Sequence, residues 1–109
     1  MIISPRFVDA TMSEVLSAAE IEDRLPRRWE HDGDEIVRTY EFTDYLHGVN
    51  FAHMVGEIAQ AQFHHPEIVI RFKEVEIRLT THDADGVTDA DIQMAEFIES
   101  ERTVRLEGD

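Results

Sequence analysis

The chain has no cysteine, so disulfide scaffolds, thiolate zinc sites and cysteine nucleophiles are excluded. Lysine is almost as scarce: of ten basic residues nine are arginine, and Lys73 is the exception. Basic charge as a whole is short. Against 24 acidic residues it leaves a formal net charge of −14. Such a surface repels phosphate backbones and anionic lipids, so no nucleic-acid partner is expected. Acidic, lysine-poor surfaces suit a high-salt cytoplasm, while GC-rich coding gives the same arginine bias, and both readings stay open. No apolar run approaches the ~20 residues of a membrane-spanning helix, so no membrane association is expected. The opening MIISPRFVDA lacks a charged region followed by an apolar core, so a secretory signal is not expected either. A cytoplasmic location is the default expectation.

What is present fits one small domain: 109 residues, 42% of them hydrophobic. Residues 1–15 show no clean period and read as an N-terminal extension. Ser17-Ala18-Ala19-Glu20 has the S-x-x-E spacing of a capping box, and Pro26 stops the helix that follows. Trp29–His31 and Glu35–Phe42 then flank Asp32-Gly33-Asp34, a hairpin signal, with Ile36, Tyr40 and Phe42 on one face. From Thr43 to Phe63 the period is helical. One stripe runs Phe51, Met54, Ile58, Ala61, and another Leu46, Val49, Ala52, Val55, Ala59. Together they exceed what one sheet covers, which points to an oligomeric partner for the far side.

Pro66 closes that helix and pushes His65 out of helical conformation. Alternation then marks two strands, Ile68-Ile70-Phe72 and Val75-Ile77-Leu79-Thr81, joined at Lys73-Glu74. His82 belongs at the end of the second. Asp83–Gly86 is a loop, and Thr88 caps a last helix that buries Ala90, Met94, Phe97 and Ile98. The expected fold is α+β in the order αββαββα: a four-stranded antiparallel sheet with helices packed on one face.

Three of the six histidines, His64, His65 and His82, fall at element ends, where a scaffold presents side chains to a ligand. Asp91 stands three residues after Thr88, so it completes a second capping box, and it lies near His82 in sequence. His31, His47 and His53 read as surface residues. Three histidines and an aspartate have the right atoms for zinc or iron. Adjacent histidines, the second held extended, aim poorly at one ion, and no H-x-E or H-E-x-x-H spacing occurs. General acid/base work fits better, because imidazoles titrate near pH ~6.5 and two of them supply both donor and acceptor. Neither a metal nor a cofactor is expected.

The run His64-His65-Pro66, five residues to Phe72, nine to His82 and eight to Asp91 resembles the signature of the pterin-4a-carbinolamine dehydratases. Leu16 to Trp29 resembles the opening helix and tryptophan of that family, and VEIRLTTHDADGVTDADIQMAEFIE its last strand and helix. The resemblance covers residues 16–100 and leaves 101–109 as a C-terminal tail. It departs at Gln60, where the family often has an acidic residue, and at Ile68, where it often has an aromatic one. The resemblance implies dehydration of 4a-hydroxytetrahydropterin to quinonoid dihydropterin, which recycles the cofactor of an aromatic amino-acid hydroxylase. It also implies homodimers or homotetramers. His64 and His82 would then carry the proton transfers, and Asp91 would hold one imidazole's tautomer. His65, Pro66 and Gln60 would bind the pterin. The alternative is a non-catalytic relative of the same fold that serves dimerisation or assembly.

Overall fold

The computed structural model describes residues 14–102, so residues 1–13 of the expected extension and 103–109 of the expected tail lie outside the described residues. Within that span the order is α1 (Ala18–Arg24), β1 (Glu30–Asp32), β2 (Glu35–Glu41), α2 (Tyr45–Gln62), β3 (Glu67–Ile70), β4 (Glu74–Leu79) and α3 (Asp89–Arg102). The four strands form one antiparallel sheet in the order β1-β2-β4-β3. The expected α+β architecture is therefore present.

Local chemistry explains most boundaries. The Ser17 side chain accepts from the Glu20 N–H while Glu20 accepts from the Ser17 N–H, so α1 begins on a complete capping box. Gly33, with φ +62°, makes the tight β1–β2 turn. Asp44 caps α2 by accepting from the Leu46 N–H. Gly48 lets α2 approach the sheet, because a Cβ there would sit 3.2 Å from Val75.

Cross-strand pairing sets the inner face. Ile36 faces Leu79, Arg38 faces Ile77 and Tyr40 faces Val75 across β2 and β4. These apolar side chains pack with Phe51, Val55 and Ile58 of α2 and with Ile92, Met94 and Ile98 of α3. Each such side chain contributes ~1.5–3 kcal/mol on full burial. The outer face is polar: Arg78 pairs with Asp32, Glu35 and Glu76, and Arg71 also pairs with Glu76.

Several expectations need correction. The β3–β4 hairpin turns at Phe72-Lys73, since the Arg71 N–H bonds to the Glu74 carbonyl (2.8 Å); Phe72 is exposed in the turn instead of extending β3. The buried stripe of α3 runs Asp91, Ile92, Met94, Ala95, Ile98, the 3.6-residue face. Phe97 lies off it and is exposed. Of the two α2 stripes, Ala52, Val55 and Ala59 are buried within this one chain, while Leu46 and Ala61 are exposed.

The inner face also carries a charge that apolar periodicity does not reveal. Arg38 is buried there, stacked 4.1 Å from the Tyr40 ring centroid and paired with Glu99 of α3 at 2.6 Å. The same Glu99 oxygen accepts from the Trp29 indole N–H (2.9 Å) and from the Tyr40 hydroxyl. Burial pushes the Glu99 carboxyl upward, but the hydrogen bonds from Tyr40 and Trp29 and the Arg38 charge outweigh it and hold the group below the usual glutamate range. Burial, then the Glu99 carboxylate, pushes the Tyr40 phenol far above its ordinary value. A carboxyl depressed in the folded state adds stability above its unfolded pKa, and that stability is lost as pH falls through the folded value. The chain is therefore expected to lose stability below about pH 4.3, and Glu99→Gln should flatten that acid limb. At pH 7, Glu99→Gln should cost about 1–3 kcal/mol, because Arg38 loses its counter-charge. Urea unfolding across pH 3–7 measures both effects.

Candidate active site

The end of α2 sets the geometry. Phe63 terminates the helix in the left-handed region (φ 53°), and the N–H groups of both Phe63 and His64 bond back to the Ala59 carbonyl. This reversal, followed by Pro66, carries His64 off the helix and toward the first turn of α3. There His64 Nε2 lies 2.6 Å from Asp91 Oδ1. The sequence placed Asp91 near His82; the fold bonds it to Thr81, the residue before His82, and also to His64, a pairing the sequence did not indicate.

Asp91 is fully buried and held by more than the histidine. Its Oδ2 accepts from the Thr88 N–H (2.8 Å) and from the Thr81 hydroxyl (2.7 Å). Thr81 thus spends its only proton on Asp91, so in the 2.8 Å contact between the two threonine hydroxyls Thr88 is the donor. The Thr88 oxygen in turn accepts from the Ala90 N–H at 3.3 Å. Half of the expected Thr88/Asp91 capping box is thus present: Asp91 accepts from the Thr88 N–H, while the Thr88 hydroxyl accepts from Ala90 and the Asp91 N–H bonds to the Thr88 carbonyl. The carboxylate serves two further partners. A carboxylate oxygen only accepts, so His64 donates through Nε2–H, and the neutral ring keeps Nδ1 as its acceptor.

His82 lies past the end of β4, in a 3-10 turn (His82–Ala84) enclosed by the Thr81–Gly86 bridge. Its imidazole is exposed and makes no hydrogen bond among the described residues. His65 is also exposed. It donates through Nε2 toward the Gln60 carbonyl oxygen (3.3 Å) and packs edge-to-face with Phe63. His64, His65 and His82 line one cleft of about 200 Å³, with Phe63, Thr80, Thr81 and Asp83 completing its wall. Neither Pro66 nor Gln60 lines it; Gln60 reaches the cleft only through His65. Among the described residues no group of three or more His, Asp and Glu is arranged to hold a metal ion.

Thr81 and Phe63 were not singled out from the sequence. Thr81 had a signal, since its alternation with Leu79 points it inward toward the capping box. Phe63 had none, because a left-handed helix end ordinarily announces itself with glycine or asparagine.

Asp91→Ala should lower Tm, because it removes a helix cap worth ~1 kcal/mol and also orphans Thr81 and His64. His82→Ala, at an exposed position, should leave Tm unchanged. Parallel thermal melts of the two variants check this contrast.

Comparison with known proteins adds a separate line of evidence. The family described as "Pterin 4 alpha carbinolamine dehydratase" matches residues 14–101. A Natronomonas pharaonis protein named "Putative pterin-4-alpha-carbinolamine dehydratase" is 56% identical over 85 residues, covering 78% of this chain and 92% of that protein. A Halobacterium salinarum protein of the same name is 54% identical over 91 residues, covering 84% of this chain and all of that one (100%). A Brucella melitensis crystal structure, titled transcriptional coactivator/pterin dehydratase, superposes with a TM-score of 0.73 at 29% identity. It covers 80% of this chain and 97% of the other.

Proposed function

The chain belongs to the pterin-4-alpha-carbinolamine dehydratase family, and from that premise we propose that it dehydrates 4a-hydroxytetrahydropterin to quinonoid dihydropterin by histidine general acid/base catalysis. The observation that carries this reading is the His64–Asp91 hydrogen bond, at the wall of a cleft that His82 also lines.

In the reaction the N5–H bond breaks and its electron pair forms the C4a=N5 double bond. The C4a–O bond breaks at the same centre, and the oxygen leaves as water once protonated. One group must take the N5 proton and another must supply a proton to the leaving hydroxyl. His64 suits the first task, because its Nε2–H is committed to Asp91 and Nδ1 is the free acceptor. As the ring takes the proton, the carboxylate stabilises the imidazolium that forms. His82, exposed on the same cleft, suits the second. His65 orients the pterin. The reaction links the protein to an aromatic amino-acid hydroxylase, whose pterin cofactor is recovered once the quinonoid product is reduced by two electrons in a separate step.

Assembly is the second reading, favoured by the coactivator half of the Brucella protein's title and by Tyr45 and Leu46, 50% and 58% exposed at the start of α2. Catalysis and self-association are compatible, and a homo-oligomer covering this end of α2 is expected. Light scattering should show it in high salt, where the charge of −14 per chain is screened. A monomer at every salt concentration contradicts the expectation.

The decisive assay follows decay of chemically generated carbinolamine, with the spontaneous rate subtracted. His64→Ala and His82→Ala are each expected to lose roughly 10²–10⁴-fold in kcat, the usual worth of a positioned acid or base. Activity should survive exhaustive chelation. Wild-type rates in both histidine variants contradict the mechanism, and recovery only on adding zinc or iron replaces it with a metal reaction.

A further inference from the structure

Phe63 combines two costs in one residue. It is a bulky side chain in the left-handed region, with φ 53° where glycine or asparagine is ordinarily found. The residue is also 84% exposed, the highest value among the large exposed hydrophobic residues. A residue chosen for packing would avoid the second cost, and one chosen for the helix end would avoid the first. Strain of this kind, once observed, points to a site that uses the residue.

The position of the ring supplies the use. Phe63 lines the same cleft as His64 and His82. Its contact with His65 is edge-to-face, with centroids 5.5 Å apart and an interplanar angle of 82°. A contact of that geometry engages at most one face of the phenyl ring and leaves the other open. Hydrogen-bonding groups on the cleft wall address the edge of a planar heterocycle, and such a ligand also needs a surface for its π face.

We propose that Phe63 is the stacking platform of the cleft, a positioning residue that holds the flat face of the pterin while His64 and His82 meet its edge. This inference rests on the dehydratase reading. Its ligand class is a planar bicyclic heteroaromatic, and the Phe63 ring contributes to binding instead of proton transfer. The left-handed backbone is what directs the ring to the cleft mouth.

The test uses the full chain with 7,8-dihydropterin, a stable ring without the 4a-hydroxyl, followed by titration calorimetry. Phe63→Asn keeps a residue that tolerates the left-handed conformation, so Tm should hold or rise. Its affinity for dihydropterin should fall roughly tenfold, the scale of one lost ring stack. In the carbinolamine assay KM should rise while kcat above background holds. Phe63→Trp should restore binding. A residue with only a structural role predicts the reverse, a lower Tm with affinity unchanged. If wild type binds dihydropterin and Phe63→Asn binds it equally well, the platform assignment falls alone. If wild type does not bind it, the dehydratase reading falls and takes the assignment with it. Weakened binding that appears only together with subunit dissociation in light scattering makes Phe63 an interface residue and overturns the proposal.

Discussion

A carboxylate taken fully out of water is costly unless its lone pairs are filled, and the charge of Asp91 is met by three donors from three segments. The Thr88 N–H comes from the start of α3, the Thr81 hydroxyl from the segment after β4, and the His64 imidazole from the segment after α2. Loss of any one leaves a buried acceptor short of a partner. The three segments are therefore fixed relative to one another by a single side chain. The same bonds that close the helix cap also fix the orientation of the candidate base. Under the proposed mechanism stability and chemistry would share this one residue, whereas the exposed His82 would serve chemistry alone.

The far end of α3 repeats the device with a different purpose. Glu99 lies eight residues beyond Asp91, about 12 Å along the helix axis, and collects Trp29, Arg38 and Tyr40 on one oxygen. It pins the helix to the inner face of β2 where an arginine interrupts the apolar row. Between the two carboxylates Ile92, Met94, Ala95 and Ile98 fill the space against the sheet. The helix is thus tied at one end by the buried Asp91 and at the other by the half-buried Glu99, whose partner Arg38 is buried.

Where the determinants are local, the sequence disclosed them. The capping box at Ser17/Glu20, the carboxylate half of another at Thr88/Asp91 and the Gly33 turn each depend on residues within four positions, and all three are present. Alternation identified the strands but not the β3–β4 register, because no glycine, asparagine or aspartate marks Phe72-Lys73 as the turn. The candidate site was legible as a set of residue types and spacings, not as a set of pairs. That Asp91 meets His64 across 27 positions depends on how α2 ends, and α2 ends on a phenylalanine in a conformation no propensity favours. Arg38 was invisible for a related reason: its partner is 61 residues away, so its burial leaves no periodic trace.

Whether His64 can act as the base turns on which of its nitrogens carries the proton. Two-dimensional ¹H–¹⁵N correlation of the imidazole side chains, with His64 assigned by its absence in His64→Ala, reads this at neutral pH without substrate. The geometry requires a proton on Nε2, and the proposed base role requires a bare Nδ1; the downfield Nε2 proton is lost in Asp91→Ala. A His64 ring protonated at Nδ1, or one averaging freely between tautomers, would contradict the central claim that Asp91 orients this imidazole as a base.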